Sequence, residues 1–222
     1  MTATVPDSKS SSGPWFMVAI IGVLVIGAGL VAVMATGRER LLDSDPTADV
    51  EISGESLLPM PDGISVTSPE NDPNSLTVAP TLKGTGFDDT ELTIEPDGRA
   101  KVIYFLAHWC PHCQVEVPLV QDMIDRGLVP EEVDIYAVST DYQESRGNPP
   151  QVWLDNEGFT PPIIRDDDRN SALAAFGGGG FPYVIYLNAD HQVVSRSSGS
   201  LNEQQIQTLW SLAGFVPEED AE

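Results

Sequence analysis

Cysteine, histidine and basic side chains are scarce in this chain: two Cys, three His and 11 Lys or Arg, against 34 Asp or Glu in 222 residues. The shortage of cations leaves a net charge of −23, which excludes a nucleic-acid surface because phosphates repel such a protein. Two cysteines exclude a scaffold built on disulfides, which needs several pairs. No unit of roughly 20–50 residues recurs, so solenoids and propellers are excluded. Disorder throughout is excluded by a hydrophobic content of 41%.

The few cysteines are not scattered. Both fall in "AHWCPHCQVEVP", residues 107–118, with two of the three histidines and a tryptophan. Three readings compete for that cluster: a reversible redox centre, half of a metal site, or a structural clip. A bond between Cys110 and Cys113 closes too short a loop to stabilise much, since closure entropy grows with loop length. A tetrahedral zinc site needs four suitably placed ligands. Adjacent side chains such as His112 and Cys113 point in different directions, and no second ligand cluster accompanies them and His108. Copper carriage by the same thiolates is the credible metal alternative, because soft sulfur suits Cu(I). A peroxidase has less support, and an inert disulfide in an interaction module is a further class. The redox reading requires no cofactor, because the dithiol itself carries the electrons.

Composition divides the rest of the chain. Residues 1–14 are Ser- and Pro-rich and read as a disordered tail. Residues 15–36 are predominantly apolar and carry no charge, long enough for a helix crossing a hydrocarbon core of about 30 Å. That run exceeds the apolar region of a signal peptide, and no convincing cleavage site follows it, so it reads as an uncleaved single-pass anchor. Flanking charges leave its orientation nearly tied. Dithiol chemistry places the C-terminal bulk outside the cytoplasm. Residues 37–75 are acidic and carry several prolines, the pattern of a solvated tether. The folded domain is expected over 76–216, with an acidic tail at 217–222.

Within the domain, "KVIYFLA", residues 101–107, reads as a buried strand. A helix follows Cys110, with Val117, Val120, Met123 and Ile124 on one face and Gly127 ending it. "VDIYAVSTD", residues 133–141, is a second strand. Pro149 and Pro150 open a helix reaching about Asn156, and "DDRNSALAAF" gives another. "YVIYLNADHQVVSRS" is a hairpin turning at residues 188–191. A last amphipathic helix places Ile206, Leu209, Trp210 and Ala213 on one side, with Gly214 as its stop. Cys110 thus stands where a strand hands over to a helix. Unpaired backbone N–H groups there favour a thiolate, the nucleophile of disulfide exchange. Cys110 is expected to be the attacking, solvent-reaching sulfur and Cys113 the shielded, resolving one. Pro111 suits a first helical turn, and His112 is a candidate to stabilise the Cys110 thiolate. Glu116, one turn beyond Cys113, is a candidate proton acceptor if burial raises its pKa.

These residues resemble a known pattern. Trp109, Cys110, Cys113, Glu116 and Pro118 fill the W-C-x-x-C-x-x-E-x-P signature of TlpA/ResA-like membrane-anchored thiol-disulfide oxidoreductases, over about residues 78–216. The resemblance implies an α/β thioredoxin-like fold: a central mixed sheet flanked by helices. It implies protein dithiol or disulfide substrates and a membrane or extracytoplasmic redox partner. It also implies that Phe181-Pro182 is a cis peptide against the cysteines, with the Phe181 backbone pairing with substrate. The chain departs from thioredoxins in having Tyr104 where they carry a buried Asp, and Tyr183 after the proline where many relatives have Thr. The Pro-His dipeptide suggests an oxidising couple and the TlpA/ResA frame a reductant, so the direction of electron flow stays open.

Overall fold

The computed structural model describes Glu39 and residues 42–215. The predicted membrane span, the N-terminal tail and the C-terminal acidic tail lie outside the described residues. Among the described residues, no helix is long and apolar enough to cross a membrane.

The centre of the molecule is strand β4 (Ala100–Leu106), whose seven residues are all buried. It has neighbours on both edges, parallel β5 (Val133–Ser139) and antiparallel β7 (Tyr183–Leu187). A strand covered on both faces reads as a continuous apolar run, as this one does. β6 (Ile163–Arg165) extends the sheet in parallel beyond β5, and β8 (Val193–Ser198) pairs antiparallel with β7. The mixed sheet therefore runs β6-β5-β4-β7-β8.

Helix α1 (Pro111–Asp125) leaves the end of β4, with Cys110 as N-cap and Pro111 at its first position. It buries Val117, Val120 and Met123, and Gly127 closes it with φ +70°. α2 is Pro150–Asn156 and α3 is the single short stretch Ser171–Ala175. The first four residues of the predicted third helix, 167–170, are instead its cap, with Asp167 accepting from the Ser171 N–H at 2.8 Å and Asp166 from the Ala172 N–H at 2.9 Å. α4 (Glu203–Ala213) begins with a capping box between Asn202 and Gln205 and buries Ile206, Leu209, Trp210 and Ala213, as its spacing predicts.

The tether reading of residues 37–75 requires correction from about residue 45 onward. β1 (Glu51–Ser53), β2 (Thr81–Thr85) and β3 (Glu91–Ile94) form an antiparallel sheet of their own. Leu57 enters the hydrophobic core, and Val66 forms a bridge to Ser197 on β8, the sheet's edge. Asp72 pairs with Arg196, Nη2 to carboxylate 2.6 Å, and both side chains are fully buried or nearly so. Arg196 also donates to the Leu58 carbonyl at 2.8 Å, fixing the segment twice. Prolines and acids that look like a solvated linker therefore serve as an ordered wrap, because one acid has a buried cation to meet.

Three of the four consecutive glycines before Phe181, all but Gly179, have a packing reason. At Gly177, φ is +72° and a Cβ would stand 2.4 Å from the Leu58 carbonyl oxygen. At Gly180 a Cβ would stand 2.4 Å from Ser198 Oγ. The wrap and β8 come so close that side chains would clash there.

Candidate active site

Cys110 and Cys113 are both free thiols and both buried. Cys113 lies one turn into α1 and is wholly inaccessible, as expected of the shielded sulfur. Cys110 is only 5% exposed, so its expected reach into solvent is limited. Its Sγ sits beneath the loop before β7 and donates to the Phe181 carbonyl at 3.6 Å. The Phe181-Pro182 peptide is cis, which brings the residues implied by the resemblance to the cysteines. Trp109 meets Phe181 edge-on with ring centroids 5.9 Å apart.

Burial dominates the chemistry behind the surface. It pushes the Cys113 thiol well above the ordinary thiol range, and the nearby Cys110 and Glu116 add to the shift. Glu116 is 1% exposed, and burial raises its carboxyl from 4.5 to about 7 against the lowering effect of the Leu201 N–H. Its Oε2 accepts from that N–H at 2.7 Å, while its Oε1 is buried with no hydrogen-bond partner. A free carboxylate oxygen behind a thiol that resists ionisation is an arrangement for proton transfer. On the sheet side, Tyr104 cannot take that role as a carboxylate would: its hydroxyl is engaged by Trp210 Nε1 at 3.0 Å. The helix, not the strand, carries the buried acid here. Tyr183, the other departure, fills core space, packing on Phe105 at 5.6 Å and donating to the Phe176 carbonyl at 2.7 Å.

His112 is placed away from the role expected of it. Its Nδ1 lies 3.0 Å from Ser200 Oγ on the exposed side of α1, and its hydrogen bond goes there and not to Cys110. Sequence reasoning missed what His108 does. Its Nδ1 donates to the Asn148 carbonyl at 2.8 Å, while Nε2 accepts from the Gln143 N–H at 3.2 Å. Burial holds its pKa below the ordinary histidine range, in keeping with a neutral ring that both donates and accepts. With both ring nitrogens engaged, His108 is not a free ligand for the metal alternative. It pins the loop over residues 141–148, to which Trp109 Nε1 also donates at the Asp141 carbonyl, 2.9 Å.

Beside Phe181, on the side of the glycines, lies a cleft of about 330 Å³ lined in part by Met60, Asp62, Ile64, Gly179 and Ser198. The wrap supplies half of that lining, so the cleft was invisible while residues 59–64 read as linker.

A mixed sheet, a Cys-x-x-Cys pair at the start of the helix after its central strand, and a cis-proline loop against the first sulfur define a thioredoxin-like dithiol protein. The comparisons agree. The chain belongs to the AhpC/TSA family, whose model matches residues 77–194. Tryparedoxin of Trypanosoma brucei brucei is 27% identical over 97 residues, which cover 42% of this chain and 63% of that protein. The match therefore spans less than two thirds of that relative's length. Among solved structures, a DsbF homologue from Corynebacterium diphtheriae superposes with a TM-score of 0.58 at 17% identity, over 71% of this chain and 99% of that one. StoA from Bacillus subtilis gives 0.51 at 18% identity, over 59% and 96%. A thiol:disulfide interchange protein DsbE from Chlorobium tepidum gives 0.52 at 16%, over 63% and 98%. At these identities the structures share the fold.

Proposed function

We propose that the protein is a membrane-tethered thiol-disulfide oxidoreductase that exchanges its Cys110-Pro111-His112-Cys113 dithiol with protein substrates outside the cytoplasm. The observation that carries the reading is the pairing of a helix-capping thiol against the Phe181 carbonyl with a deeper thiol backed by the unpartnered oxygen of Glu116. Structural neighbours that include a thiol:disulfide interchange protein support the same class.

In the reducing direction, the Cys110 thiolate attacks one sulfur of a substrate disulfide, and the other substrate sulfur leaves as a thiolate. Cys113 then gives its proton to Glu116 and attacks Cys110. That step forms the Cys110–Cys113 disulfide and releases the second substrate thiolate. Two electrons pass from dithiol to substrate, and a redox partner bearing a dithiol returns them. The oxidising direction runs the same steps backward. The half-buried Phe181, next to the cleft of about 330 Å³, offers backbone along which an extended substrate segment can lie. Tethering through residues 15–36 would hold this site near membrane electron carriers.

Equilibration of the full chain in dithiothreitol or glutathione buffers of graded potential, with acid quenching and mass spectrometry, tests the reading. The expected result is a reversible loss of two hydrogens with one midpoint, assigned to Cys110 and Cys113. A midpoint near about −120 mV would mark an oxidant and one near about −270 mV a reductant. Thiols that never pair at any accessible potential would refute the proposal.

A further inference from the structure

Of the cationic side chains among the described residues, seven meet a carboxylate: Lys83, Arg99, Lys101, Arg126, Arg165, Arg169 and Arg196. Arg146 does not. Its guanidinium lies instead over the Trp109 ring, 4.1 Å from the centroid, beside the residue that precedes Cys110. In a chain with a net charge of −23, the one cation among the described residues without an acidic partner stands at the rim of the redox site.

The position is held firmly. Trp109 and His108 fasten the two ends of the loop, through the Asp141 and Asn148 carbonyls at 2.9 and 2.8 Å. The Asp141 N–H donates to Asn170 Oδ1 at 2.8 Å, and the Arg146 N–H to the Gln143 carbonyl at 2.9 Å. The acids of the same loop do not pair with the guanidinium: Asp141 accepts from Gln143 Nε2 at 3.2 Å, Glu144 forms no ion pair among the described residues, and the guanidinium's Nη1 makes only a long hydrogen bond, 3.4 Å, to the neutral Gln143 Oε1. A guanidinium held over an indole spends only one N–H on Gln143, which leaves others for an incoming carboxylate to meet. Because the loop is ordered beforehand, little freedom is lost when it does.

We propose that Arg146 is a specificity determinant, selecting protein substrates that carry an aspartate or glutamate close to the reacting cysteine. This rests on the dithiol reading of the site. The protein's overall field repels such segments, so the discrimination is local and depends on this one cation.

The test uses disulfide-bonded peptides identical except for Asp, Asn or Lys two residues after the cysteine, together with hydroxyethyl disulfide, which bears no charge. With the reduced full chain at low ionic strength, kcat/KM should rank Asp above Asn above Lys, by about threefold per step. The spread should shrink at about 0.5 M salt. Arg146→Gln should abolish the preference for Asp, Arg146→Glu should invert it by about tenfold, and Arg146→Lys should retain part of it. An unchanged ranking in Arg146→Gln would overturn the proposal. So would an equal fall across all four substrates, which would mean that the guanidinium acts on the sulfur or the loop. No exchange by the wild-type chain with any of the four would refute the dithiol function itself, and this inference with it.

Discussion

Replacing Glu116 by glutamine makes the most of what burial does at this site. The carboxyl titrates near pH 7 in the folded protein and near 4.5 when unfolded. The folded state therefore holds its proton more tightly, and stability falls as pH rises from about 4.5 to about 7. At about 1.36 kcal/mol per pH unit, the full penalty above pH 7 is about 3 kcal/mol. Glutamine keeps an oxygen to accept from the Leu201 N–H, 2.7 Å away in the wild type, but puts an amide where Oε1 has no partner. That unsatisfied donor returns about 1–2 kcal/mol of the gain. Urea denaturation of the reduced proteins should find Glu116→Gln more stable by about 1–2 kcal/mol at pH 8–9. At pH 5 the gain should vanish, because the folded carboxyl is then neutral and the penalty that remains, about 1 kcal/mol, is matched by the cost of the unsatisfied amide. The same variant should slow the second step of exchange near neutral pH, when Cys113 has lost its acceptor. A difference in stability that is the same at pH 5 and pH 9 would refute the argument, since it would mean the carboxylate pays no burial penalty.

Other expectations follow from the same contacts. Asp72→Asn leaves the buried Arg196 guanidinium without its counter-charge, so thermal or chemical unfolding should show a loss of about 3–5 kcal/mol. Wild-type stability unchanged in that variant would mean the wrap contributes nothing. His108→Ala removes the pin between Gln143 and Asn148, and trypsin should cut after Arg146 several-fold faster than in the wild type. Equal cleavage rates would show the loop is held by Trp109 alone. Gly177→Ala places a methyl 2.4 Å from the Leu58 carbonyl at a φ of +72°, and should cost about 2 kcal/mol, read as a lower melting temperature.

The central layer of the fold was legible because it obeys local rules. The apolar run from Val102 to Ala107 announced β4, Pro111 and Gly127 bracketed α1, and the spacing of Ile206, Leu209, Trp210 and Ala213 announced α4. The cysteine pair, Glu116 and the Phe181-Pro182 loop were legible for another reason: their types and spacing carry chemistry. What escaped depends on partners remote in the chain. Asp72 and Arg196 are 124 positions apart, and nothing in an acidic, Pro-rich stretch reveals that one of its carboxylates is destined for a buried guanidinium. β1, β2 and β3 are three to five residues long, too short for their alternation to announce a strand, so tertiary pairing defines them. His108 looked like a spare metal ligand because its two backbone partners lie 35 and 40 residues away. His112 was drawn toward Cys110 by proximity in sequence, whereas Ser200 lies on its side of the helix.

The division of labour between the two sulfurs bears most directly on the whole account. Incubated with a disulfide-bonded protein or peptide substrate, Cys113→Ser should accumulate a mixed disulfide through Cys110, visible as a mass adduct that thiol reductants remove. Cys110→Ser should accumulate none, because Cys113 is inaccessible and its thiol resists ionisation. Equal adducts in both variants, or adducts confined to Cys110→Ser, would contradict it.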